Sequence, residues 1–142
     1  MKAILLSYGS MVRITNFFNT LKNANYNFDI IVCDNYSNAS EEIRKYIIDL
    51  YNSGTIKHYI FFDDNIMFNA YRIAIELFCQ ENYLVALFEN DRHFVKNSAG
   101  NYIEYLSKIL TDRKDLYSIY LSHVEDDDGF GKIDFIAGPN GS

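Results

Sequence analysis

Apolar and polar positions along this chain follow two alternating rules. Short continuous apolar runs occupy residues 3–7, 28–33, 56–62, 83–88, 116–121 and 133–137, each closed by polar or turn-forming residues. Runs of that length read as strands. Between them, apolar residues recur at helical spacing: Ile14, Phe17, Phe18 and Leu21; then Ile43, Tyr46, Ile47 and Leu50. A third set is Met67, Ala70, Tyr71, Ala74, Ile75 and Phe78, and a fourth is Ile103, Leu106 and Leu110. Each set makes one apolar stripe on a helix. Asn38 followed by Glu41 has capping-box spacing before the second helix, and Ser53-Gly54 closes it. Strands that alternate with helices of this length build βαβ units and a mostly parallel sheet. The expected fold is therefore α/β, a three-layer α/β/α sandwich with its first four strands in the order 3-2-1-4, formed by residues 1–142 as one domain.

Composition narrows the classes. The chain has 142 residues, 49% hydrophobic and 16% aromatic, enough for a sizeable core and incompatible with global disorder. The formal charge is −6 with no basic cluster, which argues against nucleic acid as a partner. No apolar run is long enough to form a transmembrane segment, and no signal peptide is recognisable. Cys33 falls in a strand and Cys79 on a helix, without metal-binding spacing, so both read as buried thiols of a cytoplasmic protein. Attachment to a membrane surface stays open. The glycosylation patterns beginning at Asn35 and Asn38 are incidental in that compartment.

The chemistry sits at the strand ends. Ser7-Tyr8 follow the first strand, Asp34-Asn35 the second, Asp64-Asn65 the third and Glu89-Asn90-Asp91 the fourth. In open α/β sheets ligands bind beyond the carboxyl ends of the strands, where the strand order reverses. With order 3-2-1-4, acids at the second and fourth ends flank one crevice. Glu89 and Asp91 are hard oxygen donors suited to Mg²⁺ or Mn²⁺, which bridge to substrate phosphates. The chain contains no GxGxxG after its first strand, no GxxxxGK[ST] and no GxSxG. Dinucleotide-binding, P-loop and serine-hydrolase readings fall away accordingly. The run Glu125-Asp126-Asp127-Asp128-Gly129 reads as a solvated turn.

Three segments in order, Ile4 to Tyr8, Ile30 to Ser37 and Tyr83 to Asp91, resemble the start of a family 2-type glycosyltransferase of GT-A fold. The resemblance covers residues 3 to 95 or so. It implies a nucleotide-diphosphate sugar as donor, a UDP-sugar first among them, and a glycan or other hydroxyl as acceptor. It implies that Glu89 and Asp91 stand at the DxD-like metal motif, with Mn²⁺ or Mg²⁺ as cofactor. Ser7, Tyr8, Asp34 and Asn35 then match nucleoside-binding positions. Asn65 and Asn90 stand at strand ends beside them, Arg72 is placed to reach a diphosphate, and His93 follows the metal motif. The first acid is Glu where the family pattern has Asp, and Asn35 replaces a second Asp.

An inverting transfer also needs a general base. In the family that group lies in the acceptor-binding half, beyond the DxD-like motif, so residues 1–142 are expected to be either the donor-binding part of a longer transferase or a small relative without the acceptor part, and the catalytic base stays unassigned. Two other readings stand beside this one: a non-catalytic nucleotide- or glycan-binding module of the same fold, and a receiver-like domain with Asp63-Asp64 ending its third strand.

Overall fold

A computed structural model describes residues 1–24, 27–36, 40–81, 84–90, 102–113, 116–122 and 132–137. The chain divides into two compact units, Met1–Ser98 and Ala99–Ser142. In the first, the elements run β1 (Lys2–Ser7), α1 (Met11–Ala24), β2 (Asp29–Asn35), α2 (Ser40–Asn52), β3 (His58–Phe62), α3 (Asn69–Phe78) and β4 (Val85–Glu89). The second holds α4 (Tyr102–Asp112), β5 (Leu116–Ser122) and β6 (Lys132–Ala137). There β5 and β6 pair antiparallel as a separate two-stranded sheet.

The four strands of the first unit form one sheet in the order β3-β2-β1-β4, every pair parallel. This is the order expected from the sequence, and the fold is α/β with helices on both faces. Side chains alternate across a strand. Ile4 and Leu6 of β1 and Ile31 and Cys33 of β2 pack with Ala70, Tyr71 and Ala74 of α3. Leu5 and Val32, each one residue out of phase, are buried toward the other face. On that side Phe17 of α1 meets Phe88 of β4 at 5.6 Å between ring centroids, and Phe18 meets Tyr46 of α2 at 6.4 Å. Strands β1 and β2 are thus covered twice, which is why they read as unbroken apolar runs. The outer strands β3 and β4 are only half-buried.

Several boundaries differ from the sequence reading: β4 begins at Val85, after Leu84, and Cys79, read as helical, is the C-cap just past α3. Strand β2 continues through Asp34 and Asn35, because both stay in register with Phe61 and Phe62 of β3. Strand β3 begins at His58 instead of Ile56, since Ile56 donates its N–H to Leu50 O and belongs to the close of α2. Gly54, at φ +78, makes that close possible. Helix α3 starts at Asn69, and Met67 lies outside it with φ +53 and 59% exposure. A left-handed residue cannot continue a right-handed helix, so Met67 leaves the apolar stripe. The proposed cap at Asn38 and the acidic run 125–128 lie outside the described residues.

The two thiols are buried as expected, Cys33 donating weakly to Ala70 O at 3.9 Å. Burial, with Cys79 as a second cause, pushes the Cys33 thiol from 9.0 up to about 12, and burial raises Cys79 against the opposing pull of Lys2. The fold therefore holds these protons where the unfolded chain releases them. The contribution of Cys33 is intact below about pH 9 and lost as pH rises toward 12, and Cys79 acts in the same direction. Urea titrations should show stability falling between about pH 9 and 11, by at most ~1.4 kcal/mol per pH unit for each thiol. In Cys33→Ala that alkaline slope should be shallower, whatever the variant's stability at neutral pH.

Candidate functional site

The carboxyl ends of β2, β1 and β4 place the candidate residues. Ser7 and Asp34 are Cα partners in the β1–β2 register, both fully buried. Paired residues share a face, so both project with Leu5 and Val32 toward the α1–α2 side. Asp34 Oδ2 accepts from Arg44 Nε of α2 at 3.4 Å. Ser7 Oγ is buried with no hydrogen-bond partner among the described residues. A buried hydroxyl without a partner calls for an explanation, and an absent ligand is one.

Asn35, one position on, faces the other way and spends its amide on the loop before α3. Its Oδ1 accepts from Ile66 N at 2.8 Å, and its Nδ2 donates to Asn65 Oδ1 at 2.6 Å and to Met67 O at 3.4 Å. Asn65 Oδ1 also accepts from Met67 N at 3.0 Å. These two asparagines hold a strained loop: Met67 and Tyr36 are the non-glycine residues with positive φ among the described residues. Such strain persists only where its surroundings over-determine it.

At β4, Glu89 is the Cα partner of Leu6 and stands half-buried on the α3 side. The strand end is fixed from two directions. Tyr71 Oη donates to Phe88 O at 2.7 Å, while Asn90 donates its backbone N–H to Leu6 O and its Nδ2 to Tyr8 O, both at 3.1 Å. Asn90 therefore ties β4 to β1 at the point where the acidic segment begins. Tyr8 leaves its side chain 44% exposed beside this knot, ahead of Gly9 at φ +72. Arg72 sits on the exposed face of α3, paired with Glu76 at 2.9 Å. Asp91 and His93 lie outside the described residues.

Asp34 and Glu89 consequently flank β1 from opposite faces of the sheet. A ligand touching both has to lie over the carboxyl edge. Among the described residues no three His, Cys, Asp or Glu side chains converge as a metal cage. Mg²⁺ and Mn²⁺ do not need one, since one or two carboxylates with substrate phosphates and water complete their shell. Glu89, half-buried at an open strand end, fits that demand in donor type. A cavity of about 230 Å³ lined by Lys2, Asp29, Ile31, Lys57 and His58 opens at the opposite, amino edge of the strands and is separate from these residues.

Arg44 went unremarked in the sequence, and Tyr71 was read there only as part of the apolar stripe of the third helix. Arg44 carried a signal only in hindsight, as a cation one helical turn into the element that follows the second strand's acid.

No family model matches the chain. Its fold has solved counterparts in Staphylococcus aureus TarS, a GT-A-type glycosyltransferase. One TarS structure aligns over 93% of this chain and 23% of its own length, with TM-score 0.59 and 16% identity. The structure of TarS 1–349 aligns over 87% of this chain and 42% of its own, with TM-score 0.55 and 12% identity. The fold of this chain is the one these TarS structures share. The chain spans less than half of either TarS chain. Over 53 residues, 37% of this chain, it is 43% identical to uncharacterized protein L142 of Acanthamoeba polyphaga mimivirus, covering 11% of that protein.

Asn35→Ala tests the loop assignment. It leaves Ile66 N–H without its acceptor and frees Asn65, so stability should fall by about 1–3 kcal/mol in urea titrations. Faster amide exchange at Ile66 and Met67 should accompany the fall. An unchanged midpoint would show that the loop holds without the asparagine clamp.

Proposed function

We propose that this chain is the donor-binding part of a metal-dependent glycosyltransferase that takes a nucleotide-diphosphate sugar, with a UDP-sugar as the first candidate and a glycan or other hydroxyl as acceptor. The observation that carries this reading is the β3-β2-β1-β4 order, which brings the buried Ser7–Asp34 pair and Glu89 to neighbouring strand ends in a glycosyltransferase-like fold. Asp34 accepts a hydrogen bond from the base or ribose, Ser7 Oγ gains its missing partner there, and the exposed ring of Tyr8 offers a stacking surface. Glu89 and Asp91 supply carboxylate oxygens for Mn²⁺ or Mg²⁺. When bound, the ion supplies charge neutralisation on the diphosphate leaving group. Asn35, Asn65 and Asn90 then serve the donor indirectly, by fixing the strand ends and the loop that surround it. Arg72 would have to leave Glu76 to reach a diphosphate, an exposed pairing that costs little to break.

Among the described residues no helix is long and apolar enough to cross a membrane. A cytoplasmic protein, free or held at a membrane surface, is consistent with this reading. A binding module without turnover is the alternative, and acceptor-dependent transfer separates the two.

Calorimetry with UDP should show affinity at least ~10-fold higher with Mn²⁺ or Mg²⁺ than with chelator, the scale on which even outer-shell partners affect a metal site. Asp91→Ala should abolish that metal dependence, and Glu89→Ala should reduce it. Equal affinity with and without metal would remove the metal role. With a UDP-sugar, residues 1–142 should release UDP slowly and transfer to no acceptor, since base and acceptor platform together contribute orders of magnitude. Efficient transfer by this chain alone would place the base within it, with Asp63 and Asp64 the first residues to replace.

A further inference from the structure

Asp34 is buried at the end of a strand, and its carboxylate is held by more than a single charge. Arg44 of α2 reaches across the carboxyl ends of β2 and β3. Its Nε lies 3.4 Å from Asp34 Oδ2, and its Nη2 donates to Phe62 O at 3.1 Å. The guanidinium carbon stands 5.0 Å from the ring centroid of Phe61. Phe61 is the Cα partner of Asp34 on β3, so the guanidinium contacts both members of this register pair. One side chain is therefore oriented by a carbonyl, a ring and a carboxylate at once. Its own exposure is 30%, while that of Asp34 is nil. An arginine anchored by a carbonyl and a ring presents its Nε to the carboxylate from one fixed direction, which biases the orientation of Asp34.

On the opposite flank of Asp34 lies Ser7, whose buried Oγ has no partner among the described residues. Asp34 thus stands between a fixed cation and an unsatisfied hydroxyl.

We propose that Arg44 is a positioning residue for nucleoside recognition: it holds the Asp34 carboxylate in the orientation that accepts from the base or ribose of the donor. The proposal rests on the reading of Asp34 as a nucleoside acceptor. Arg44 itself touches no ligand. Its effect reaches the ligand only through Asp34, which makes the two residues non-additive in binding.

The test is a double-mutant cycle on the whole chain with UDP and Mn²⁺, alongside inorganic pyrophosphate and Mn²⁺. Arg44→Met should weaken UDP on the order of tenfold, Asp34→Asn should weaken it by at least as much, and the double variant should be no weaker than Asp34→Asn alone. Pyrophosphate should bind Arg44→Met as it binds the parent chain, because no base or ribose is present to be misplaced. Arg44→Lys keeps the charge but not the fork, so it should show the same UDP-selective loss; it carries the test where Arg44→Met fails to fold. Full UDP affinity in a folded Arg44 variant, with Asp34→Asn still impaired, would overturn the role of Arg44 and leave the nucleoside site standing. Equal losses for UDP and pyrophosphate would overturn it too, as the mark of a general structural defect. Undiminished UDP binding by Asp34→Asn, or no UDP binding by the parent chain, would bring down the nucleoside reading and this proposal with it.

Discussion

A charged side chain with no solvent exposure, Asp34, is the constraint around which the strand ends are arranged. Burying a carboxylate costs several kcal/mol unless it is paired and hydrogen-bonded. That demand accounts for Arg44 in the first turns of α2, and for the way Arg44 draws β3 into the arrangement through Phe62 O and the Phe61 ring. The same strand end then sends Asn35 to the other face, where it pins the loop leading to α3. Two adjacent polar residues, projecting to opposite sides, fix both helices that follow. The period of a strand does this without any additional device.

The sheet was legible in the sequence because parallel strands covered on both faces must be apolar throughout. The runs at 3–7 and 28–33 correspond to β1 and β2, and the expected order 3-2-1-4 is the one observed. Polar residues misled the reading at strand ends. Asp34 and Asn35 looked like the start of a loop, yet both lie in β2 because their partners sit on distant segments, at Arg44 and at Asn65 to Met67. No local pattern encodes such pairing. Met67 failed for a different reason: its spacing fits the α3 stripe, but the asparagine clamp holds it in a left-handed conformation that spacing cannot reveal. Asn90 was read as a donor-binding position at a strand end. Its work, tying β4 to β1, depends on a backbone carbonyl eighty-two positions away in sequence.

The division of labour among the asparagines bears on the functional reading. Asn35, Asn65 and Asn90 have their amides engaged within the protein, whereas Ser7 Oγ has none of its capacity used among the described residues. Polar groups already satisfied inside a fold act on a ligand by shaping what surrounds it. A buried polar atom still unsatisfied is where a ligand gains a hydrogen bond that water does not supply. Under the proposed function, Ser7 with Asp34 beside it is then the contact position, and the asparagines shape what surrounds it.

The geometry also limits what the ligand can be. Asp34 belongs to the α1–α2 face and Glu89 to the α3 face, with β1 between them. A compact anion at one strand end cannot engage both. An elongated ligand crossing the carboxyl edge of β1 can, provided that one end carries hydrogen-bond donors for Asp34 and the other carries anionic oxygens that reach Glu89 through a shared cation. A nucleoside diphosphate has those two ends in that order, joined by a ribose. The match lies in the polarity of the ligand along its length, so it would hold for any sugar beyond the second phosphate. Under the proposed function, the sugar is then recognised by residues other than these.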